Sequence, residues 1–255
     1  MRKFKVAAVQ LNLGQSTPKI VADIKRYVKL AKKKGVKIIC FPEDSIFAGP
    51  KKNETILQEI KKTCFEAKIW SIVVGHFHDK NKKCYNSAWL INEQGEIQGK
   101  HNKVHICDAP HVCAGECFSV YQTPFCKIGI AICWDVAYPD ALASMAQQGA
   151  ELIFCPMYWC YEEWAHRKNH LQQEKKILQS LVLTRAFENM TYVVFCNPYE
   201  KNEHHLTSYT AIAEPHKIIG ELFMKEGMVI GEINKTYLHD LHRRYKQGYY
   251  KEFKR

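Results

Sequence analysis

The sequence predicts an α/β fold in a single domain, with two sheets packed face to face and helices on the outside. Short apolar runs alternate with amphipathic stretches along the 255 residues, an order typical of layered α/β proteins. No linker rich in Pro, Gly or Ser divides the chain, and its length suffices for one sizeable core. We therefore expect residues 1–255 to form one domain.

The first half of the chain shows this alternation clearly. Residues Phe4–Leu11 are predicted to form a strand, and Pro18–Lys34 an amphipathic helix that ends at Gly35. Val36–Phe41 is a short apolar run before Pro42, as expected for a buried strand. A second helix is predicted over Glu54–Lys68, and further strands over Ser71–Phe77, Tyr85–Asn92 and 97–100.

The second half repeats the order of strands and helices. Strands are predicted over Phe118–Gln122, Ile128–Cys133, Glu151–Cys155, Thr191–Cys196, Tyr209–Ala213, Ile218–Phe223 and Met228–Ile233. Helices are predicted over Tyr138–Gln148 and Lys168–Asn189. The last segment, at about 235–255, is expected to begin as a helix and to end as a basic, aromatic tail.

Composition indicates a globular protein of the cytoplasm. The apolar fraction of 46% and the charged fraction of 25% are ordinary for such a chain. The first residues lack the apolar run of a signal peptide, and no segment approaches the roughly 20 apolar residues of a membrane span. We therefore expect no membrane partner. The 11 cysteines are an odd number in a chain without a secretory signal, so we expect reduced thiols.

The net charge of +11 raises the question of nucleic-acid binding. The lysines are spread along the chain, and those at 25, 29, 32 and 33 have the spacing of one solvated helix face. Motifs that interleave arginine and aromatic residues for RNA are missing. We therefore expect no nucleic-acid partner, and the positive charge either favours an acidic substrate or maintains solubility.

Three polar side chains follow predicted strand ends. Glu43 follows the strand that ends at Pro42, Lys103 follows the strand near residue 100, and Cys133 ends its own strand. Ligands of open α/β sheets bind beyond the carboxyl ends of strands. A thiol is a good nucleophile as thiolate, a carboxylate can take its proton, and an ammonium can stabilise an oxyanion. Taken singly, each residue is more often a core cysteine, a helix-entry charge or a surface lysine.

The surrounding motifs identify a family. The chain opens with Lys5-Val-Ala-Ala-Val-Gln10 and continues with Phe41-Pro-Glu43, Lys100-His-Asn-Lys103-Val-His105, Gly129-Ile-Ala-Ile-Cys133-Trp-Asp135 and Thr184-Arg-Ala-Phe-Glu-Asn189. In order and spacing these motifs resemble the nitrilase superfamily of carbon–nitrogen hydrolases over nearly the whole chain.

The resemblance implies both a fold and a reaction. The fold would be a four-layer αββα sandwich of two mixed sheets with outer helices, assembled into homodimers or larger homo-oligomers. Glu43 would be the general base, Lys103 the oxyanion stabiliser, together with the backbone N–H of Trp134, and Cys133 the nucleophile. The reaction would pass through a thioester and release ammonia, with no metal or other cofactor.

The most favoured substrate is a small linear amide or N-carbamoyl amine. Nitrile hydrolysis is the alternative enzyme activity, and a catalytically weak scaffold or binding protein is the alternative from another class. Many family amidases carry a second glutamate seven or eight positions after the lysine, where this chain has Pro110 and His111. His111 could replace that carboxylate as a positioning group.

Further substrate contacts are expected from an aromatic stretch after the strand ending near Pro156. Trp134, Tyr158, Trp159 and Glu162 are candidates to line the pocket, with Glu162 able to meet a cationic amine. A surface or interface loop explains the same stretch equally well.

Histidines and cysteines between 105 and 117 form a local group, but their spacing lacks the paired Cys-x2-Cys of zinc sites. We therefore predict no metal site.

Overall fold

The computed structural model describes residues 2–107, 109–161, 169–201 and 205–245. Within these ranges the chain forms two six-stranded sheets. The strands are β1 (Lys3–Gln10), β2 (Val36–Cys40), β3 (Trp70–His78), β4 (Cys84–Ile91), β5 (Ile97–Asn102), β6 (Val120–Gln122), β7 (Lys127–Ile130), β8 (Leu152–Pro156), β9 (Tyr192–Cys196), β10 (Tyr209–Glu214), β11 (Lys217–Phe223) and β12 (Gly227–Asn234).

Both sheets are mixed, and they have matching designs. The first has the order β12-β1-β2-β3-β4-β5 and the second the order β11-β10-β9-β8-β7-β6. In the first sheet β1, β2 and β3 are parallel neighbours, and in the second β7, β8 and β9 are parallel neighbours. The remaining pairs are antiparallel. The carboxyl ends of the central parallel strands are therefore free to carry a site in each sheet.

Five helices complete the described part of the chain. They are α1 (Thr17–Lys33), α2 (Pro50–Ala67), α3 (Pro139–Gln147), α4 (His170–Asn189) and α5 (Lys235–Arg244), and a short 3-10 helix spans Cys133–Ala137. Helix α2 begins before the predicted Glu54, because Pro50 suits the first helical position and Gly49 adopts a φ of 85° before it. The predicted strand from Phe118 is shorter in the structure and begins at Val120.

Alternating burial in the strands explains the layers. In β1, Val6 and Ala8 pack into one buried cluster together with residues of the second sheet, whereas Ala7 and Val9 pack against α1 and α2. The outer face of the second sheet is covered by α3 and α4, whose Leu142 and Leu178 are fully buried. The expected αββα sandwich of two mixed sheets with outer helices is confirmed.

The end of the chain is described only in part. The predicted helix after residue 235 is present as α5, and the basic tail beyond residue 245 lies outside the described residues. Among the described helices, none combines the length and the apolar character needed to cross a bilayer.

Candidate functional site

Glu43 lies just beyond the end of β2 and is almost fully buried, with 4% of its surface exposed. Its Oε1 accepts hydrogen bonds from Lys103 Nζ at 2.8 Å and from Asn86 Nδ2 at 2.7 Å. Its Oε2 accepts from the backbone N–H of Tyr158 at 3.0 Å. These three donors fix the carboxylate in one orientation, as a general base requires.

Lys103 follows β5 and is buried, with 7% exposure. Its backbone N–H donates to the carbonyl of Asn86 at 2.9 Å. The lysine is therefore tied to β4, and the side chain of the same Asn86 donates to Glu43. Burial lowers the pKa of Lys103, but the negative charge of Glu43 and its hydrogen bond to the lysine outweigh burial and raise the pKa above its ordinary value. Lys103 therefore remains a cation at neutral pH, suited to stabilise an oxyanion.

Cys133 begins the 3-10 helix at the end of the β7 segment, and its φ of 47° is in the left-handed region. Such a backbone conformation is costly for a residue with a side chain and is common at functional sites. The Cys133 thiol donates a hydrogen bond to the carbonyl oxygen of Tyr158, which lies 3.6 Å from Sγ. Tyr158 therefore contacts the thiol through its carbonyl and Glu43 through its N–H.

The resting state of Cys133 follows from its surroundings. Burial, followed by the charge of Glu43, raises the pKa of the Cys133 thiol well above its ordinary value, against the opposing effect of Lys103. The thiol is therefore neutral at rest near pH 7. Formation of a thiolate at this position therefore requires transfer of the proton to a base.

Asp135 connects the segments that carry Lys103 and Cys133, and its side chain is fully buried. Its Oδ2 accepts the backbone N–H of Ile132 at 2.9 Å, next to the nucleophile. Its Oδ1 accepts the backbone N–H of His105 at 2.8 Å and that of Val104 at 3.2 Å, next to the lysine.

Two histidine rings complete the surroundings of Asp135. His101 Nε2 lies 3.4 Å from Oδ2, and His105 Nδ1 lies 3.1 Å from Oδ1. Burial alone would raise the pKa of Asp135, but hydrogen bonds from His101 and from backbone N–H groups lower it below its ordinary value. Asp135 is therefore an anionic clamp between the lysine and the thiol.

Three of the predicted substrate contacts are aromatic residues beside Cys133. Trp134 follows Cys133 and is 37% exposed, and its ring centroid lies 5.3 Å from that of Trp159. Trp159 is held by a hydrogen bond from Nε1 to Glu174 at 2.6 Å. The hydroxyl of Tyr158 donates to Glu200 at 2.7 Å. The aromatic stretch therefore lies at the site through Tyr158 and Trp159.

The other two predicted contacts have different outcomes. His111 is exposed, and its ring centroid lies 6.0 Å from that of His76. Glu162 lies outside the described residues. Within the described ranges, no group of three or more His, Cys, Asp or Glu side chains has an arrangement that could hold a metal ion.

Several residues of the site were not predicted from the sequence. Asn86 donates to Glu43, Asp135 clamps two segments, and Asp44 and His76 lie beside the buried ion pair. For His76 the sequence did contain a signal. Ile72, Val74 and His76 lie on one face of β3, and a polar residue that ends such an apolar row indicates a site.

A groove of about 630 Å³ lies elsewhere, between α1 and α2. Its lining includes Pro18, Val21 and Ile56, and it does not include the Glu43–Lys103–Cys133 group. The chemistry of the buried ion pair and thiol, and not the size of a groove, therefore identifies the candidate site.

Comparison with known proteins gives a match across most of the chain. The family model described as carbon-nitrogen hydrolase matches residues 5–243. A citrullinase of Francisella tularensis is 32% identical over 176 residues, covering 61% of this chain and 62% of that protein. The N-carbamoylputrescine amidase of Arabidopsis thaliana is 33% identical over 176 residues, covering 61% and 58%. The matched part thus spans less than two thirds of the length of these two relatives.

Other matches extend over nearly the full length. Omega-amidase NIT2-A of Xenopus laevis is 24% identical over 267 residues, covering 94% of this chain and 92% of that protein. The structure of Nit3 from Saccharomyces cerevisiae, a member of branch 10 of the nitrilase superfamily, has a TM-score of 0.83 at 22% identity, covering 97% and 96% of the two chains. An amidase from Nesterenkonia sp. has a TM-score of 0.79 at 18% identity, covering 95% and 96%. At this level of identity the two structures show a shared fold.

Proposed function

Because the chain belongs to the carbon–nitrogen hydrolase family, we propose that it hydrolyses the C–N bond of a small linear amide or N-carbamoyl amine through a thioester on Cys133. The observation that carries this proposal is the bridge made by Tyr158. Its carbonyl meets the Cys133 thiol at 3.6 Å, and its N–H meets the Glu43 carboxylate at 3.0 Å. Tyr158 thus contacts both the proposed nucleophile and the proposed base, and Lys103 lies 2.8 Å from Glu43.

The first half of the reaction is acyl transfer to sulfur. Glu43 takes the thiol proton as Cys133 Sγ bonds to the carbonyl carbon, and Lys103 and the backbone N–H of Trp134 stabilise the oxyanion that forms. Collapse of this intermediate breaks the C–N bond, and the proton held by Glu43 passes to the departing nitrogen. Ammonia leaves, and the acyl group remains on Cys133 as a thioester.

The second half restores the enzyme. Glu43, again a carboxylate, takes a proton from water while the water oxygen attacks the thioester carbon. The C–S bond breaks, the acid product leaves, and the proton returns from Glu43 to the sulfur. Every step uses side chains of the chain itself, and we propose no metal or organic cofactor.

The names of relatives favour amides and carbamoyl amines over nitriles. They include a citrullinase, an N-carbamoylputrescine amidase and an omega-amidase. For the Nesterenkonia amidase, a Glu-to-Gln mutant carries the acetamide moiety of fluoroacetamide added covalently at the active-site cysteine. These are properties of those proteins, and they support a nucleophilic cysteine in the reaction proposed for this chain.

A direct test measures ammonia released from a panel of small primary amides, N-carbamoyl amines and nitriles. We expect release from amides or carbamoyl amines by the wild-type protein and none by Cys133→Ala. A Cys117→Ser variant is a matched control, because that thiol is exposed and outside the site. Release from nitriles alone would favour nitrile hydrolysis. No release from any compound would favour a scaffold or binding protein.

We also propose that the chain forms homodimers or larger homo-oligomers. Three large apolar side chains near or on α3 and α4 are exposed, namely Tyr138 at 43%, Ile177 at 45% and Phe187 at 44%. Such exposure on the outer helical layer supports contact with a second copy. Light scattering coupled to size exclusion should give at least twice the mass of 29.6 kDa. A monomer at micromolar concentration would contradict this proposal.

A further inference from the structure

The loop after β2 is fastened to β3 and thereby places Asp44 beside the candidate site. The backbone N–H of Ile46 donates to the carbonyl of Val74 at 2.9 Å. The Ser45 hydroxyl lies 3.2 Å from the same carbonyl and 3.1 Å from the N–H of Val74. Between Glu43 and this attachment, Asp44 adopts a φ of 58°. Aspartate tolerates this left-handed conformation better than most residues, and such positions recur at functional sites.

His76 faces the same space from β3. Side chains alternate along a strand, and Ile72 and Val74 belong to the cluster that includes both sheets, so His76 lies on the face between the sheets. In the β3–β4 pair, His76 is directly opposite Asn86, the residue that donates to Glu43. His76 Nε2 lies 3.6 Å from Asp44 Oδ1. Asp44 and His76 thus form a polar pair next to the Glu43–Lys103 ion pair.

The carboxylate of Asp44 has unused hydrogen-bonding capacity. Oδ1 is buried and accepts no hydrogen bond from any described residue. The side chain as a whole keeps 30% exposure, so it borders open space and is not enclosed in the core. A buried acceptor without a donor costs free energy, and in native structures such groups are often part of a binding or catalytic site.

We propose that Asp44, oriented by His76, accepts a hydrogen bond from the NH₂ group of the scissile amide and selects substrates whose departing nitrogen is an unsubstituted NH₂ group. The proposal rests on the function proposed above and narrows its substrate class to primary amides and terminal carbamoyl groups. An ionised carboxylate accepts two hydrogen bonds readily, and an ester offers it no donor at the same place.

The burial and the charges around Asp44 shift the pKa of its carboxyl group. Burial, followed by the charge of Glu43, raises the pKa of Asp44 to about 7, with Glu200 acting in the same direction and Lys103 opposing them. His76 also faces the carboxylate, and burial lowers the pKa of that histidine, so its ring is neutral near pH 7. Ionised Asp44 is needed to accept from the amide. Amide hydrolysis should therefore fall as pH decreases through about 7.

The test compares two substrates with the same acyl group, propionamide and p-nitrophenyl propionate, in the wild type and in Asp44→Asn. Asparagine also tolerates the left-handed backbone, so this variant keeps the local fold. Loss of a hydrogen bond to a charged acceptor predicts that kcat/KM for the amide falls about 10- to 100-fold. The ester should react at the wild-type rate, and the acid limb near pH 7 should disappear from the amide profile.

Controls separate this role from a structural one. Glu66→Gln removes an exposed carboxylate on α2 and should change neither substrate. The melting temperature of Asp44→Asn at pH 8 should equal or exceed that of the wild type, because a charge with a raised pKa opposes folding. His76→Gln provides a second variant and should lower amide turnover while sparing the ester.

The outcomes are distinguishable. Unchanged amide turnover in Asp44→Asn, with ammonia still released by the wild type, would overturn the role of Asp44 and leave the proposed function intact. Equal losses on amide and ester would also overturn it, since the loss would then concern acyl transfer or folding. If the wild type releases no ammonia from any amide while reacting with the ester, both proposals are overturned.

Discussion

Replacement of Asp135 by alanine should destabilise the protein and disable the site together. The carboxylate accepts three backbone N–H groups, from Ile132, Val104 and His105, at 2.8–3.2 Å. Alanine leaves these donors unpaired in a position where Asp135 itself has no exposure. Each unsatisfied buried donor costs about 1–3 kcal/mol, and two of the three can recover part of this through water.

The total expected loss in the free energy of unfolding is about 3–5 kcal/mol, a large part of the roughly 5–15 kcal/mol of a typical domain. Asp135→Asn keeps the shape and one acceptor oxygen, so its loss should be smaller, at about 2 kcal/mol. The pKa of Asp135 is lowered by folding, so its contribution is present above pH 4 and disappears as the pH falls below the folded value. The two variants should therefore approach the wild type in stability only under strongly acidic conditions.

Urea unfolding at pH 7, followed by tryptophan fluorescence, measures this loss. Mapping the rate of Cys133 alkylation in the folded variants reports whether the nucleophile has moved. A change of less than about 1 kcal/mol in the free energy of unfolding for Asp135→Ala would refute the clamp, because the three hydrogen bonds would then contribute little to stability. Wild-type turnover in that variant would refute its effect on the site.

Three further predictions concern the site and the loop beside it. Lys103→Met should lower turnover about 100- to 1000-fold and destabilise the fold, since it leaves the Glu43 carboxylate buried without its cation. Steady-state ammonia release and a melting curve test both parts, and wild-type turnover would contradict the oxyanion role. Glu43→Gln should lower turnover about 100- to 10000-fold yet keep Cys133 open to alkylation, because removal of the nearby negative charge lowers the pKa of the thiol. Loss of alkylation in that variant would contradict this reading of the resting thiol. Gly75→Ala should destabilise the protein by about 1–3 kcal/mol and reduce activity, since its Cβ would lie 2.2 Å from the carbonyl oxygen of Ile46. An unchanged melting temperature would contradict this prediction, because the loop after β2 would then move away from the added Cβ without loss of stability.

The fold was predictable because its layers depend on patterns that local sequence contains. In β1, successive side chains point to two different buried clusters, as the period of a strand requires, and the short apolar runs at β2 and β8 follow from burial on both faces. The start of α2 was not predicted correctly. Proline interrupts the interior of a helix but suits its first turn, and α2 therefore begins at Pro50 and not at Glu54.

The site was predictable only where motifs marked it. Glu43, Lys103 and Cys133 were found from their order along the chain, and the structure brings Glu43 and Lys103 within 2.8 Å. The Asp135 clamp depends on backbone N–H groups from a segment about 30 residues away, a distance that no spacing rule encodes. The bridge made by Tyr158 uses its backbone N–H and carbonyl. Because every residue except proline has these groups, the residue type at position 158 does not predict the bridge.

The role of His111 stays a prediction that rests on a substitution pattern. The sequence pointed to His111 because it occupies a position where related amidases carry a carboxylate. In the structure this ring is exposed, and the groups that face the ion pair are Asp44 and His76, supplied by the β2 loop and by β3. Alternation along β3 places His76 on the face between the sheets, and the register of β3 against β4 sets it opposite Asn86.

The central claim is that Cys133 carries the acyl group, and trapping that group tests it most directly. Wild type and Glu43→Gln would be incubated with a primary amide that the panel identifies as a substrate, quenched in acid and digested with trypsin. The expected peptide, residues 128–167, also contains Cys155 and Cys160, so fragment ions must locate the modification. We predict an added acyl mass on Cys133 that hydroxylamine removes. Acylation of another cysteine, or steady ammonia release from a Cys133→Ala protein, would contradict the account.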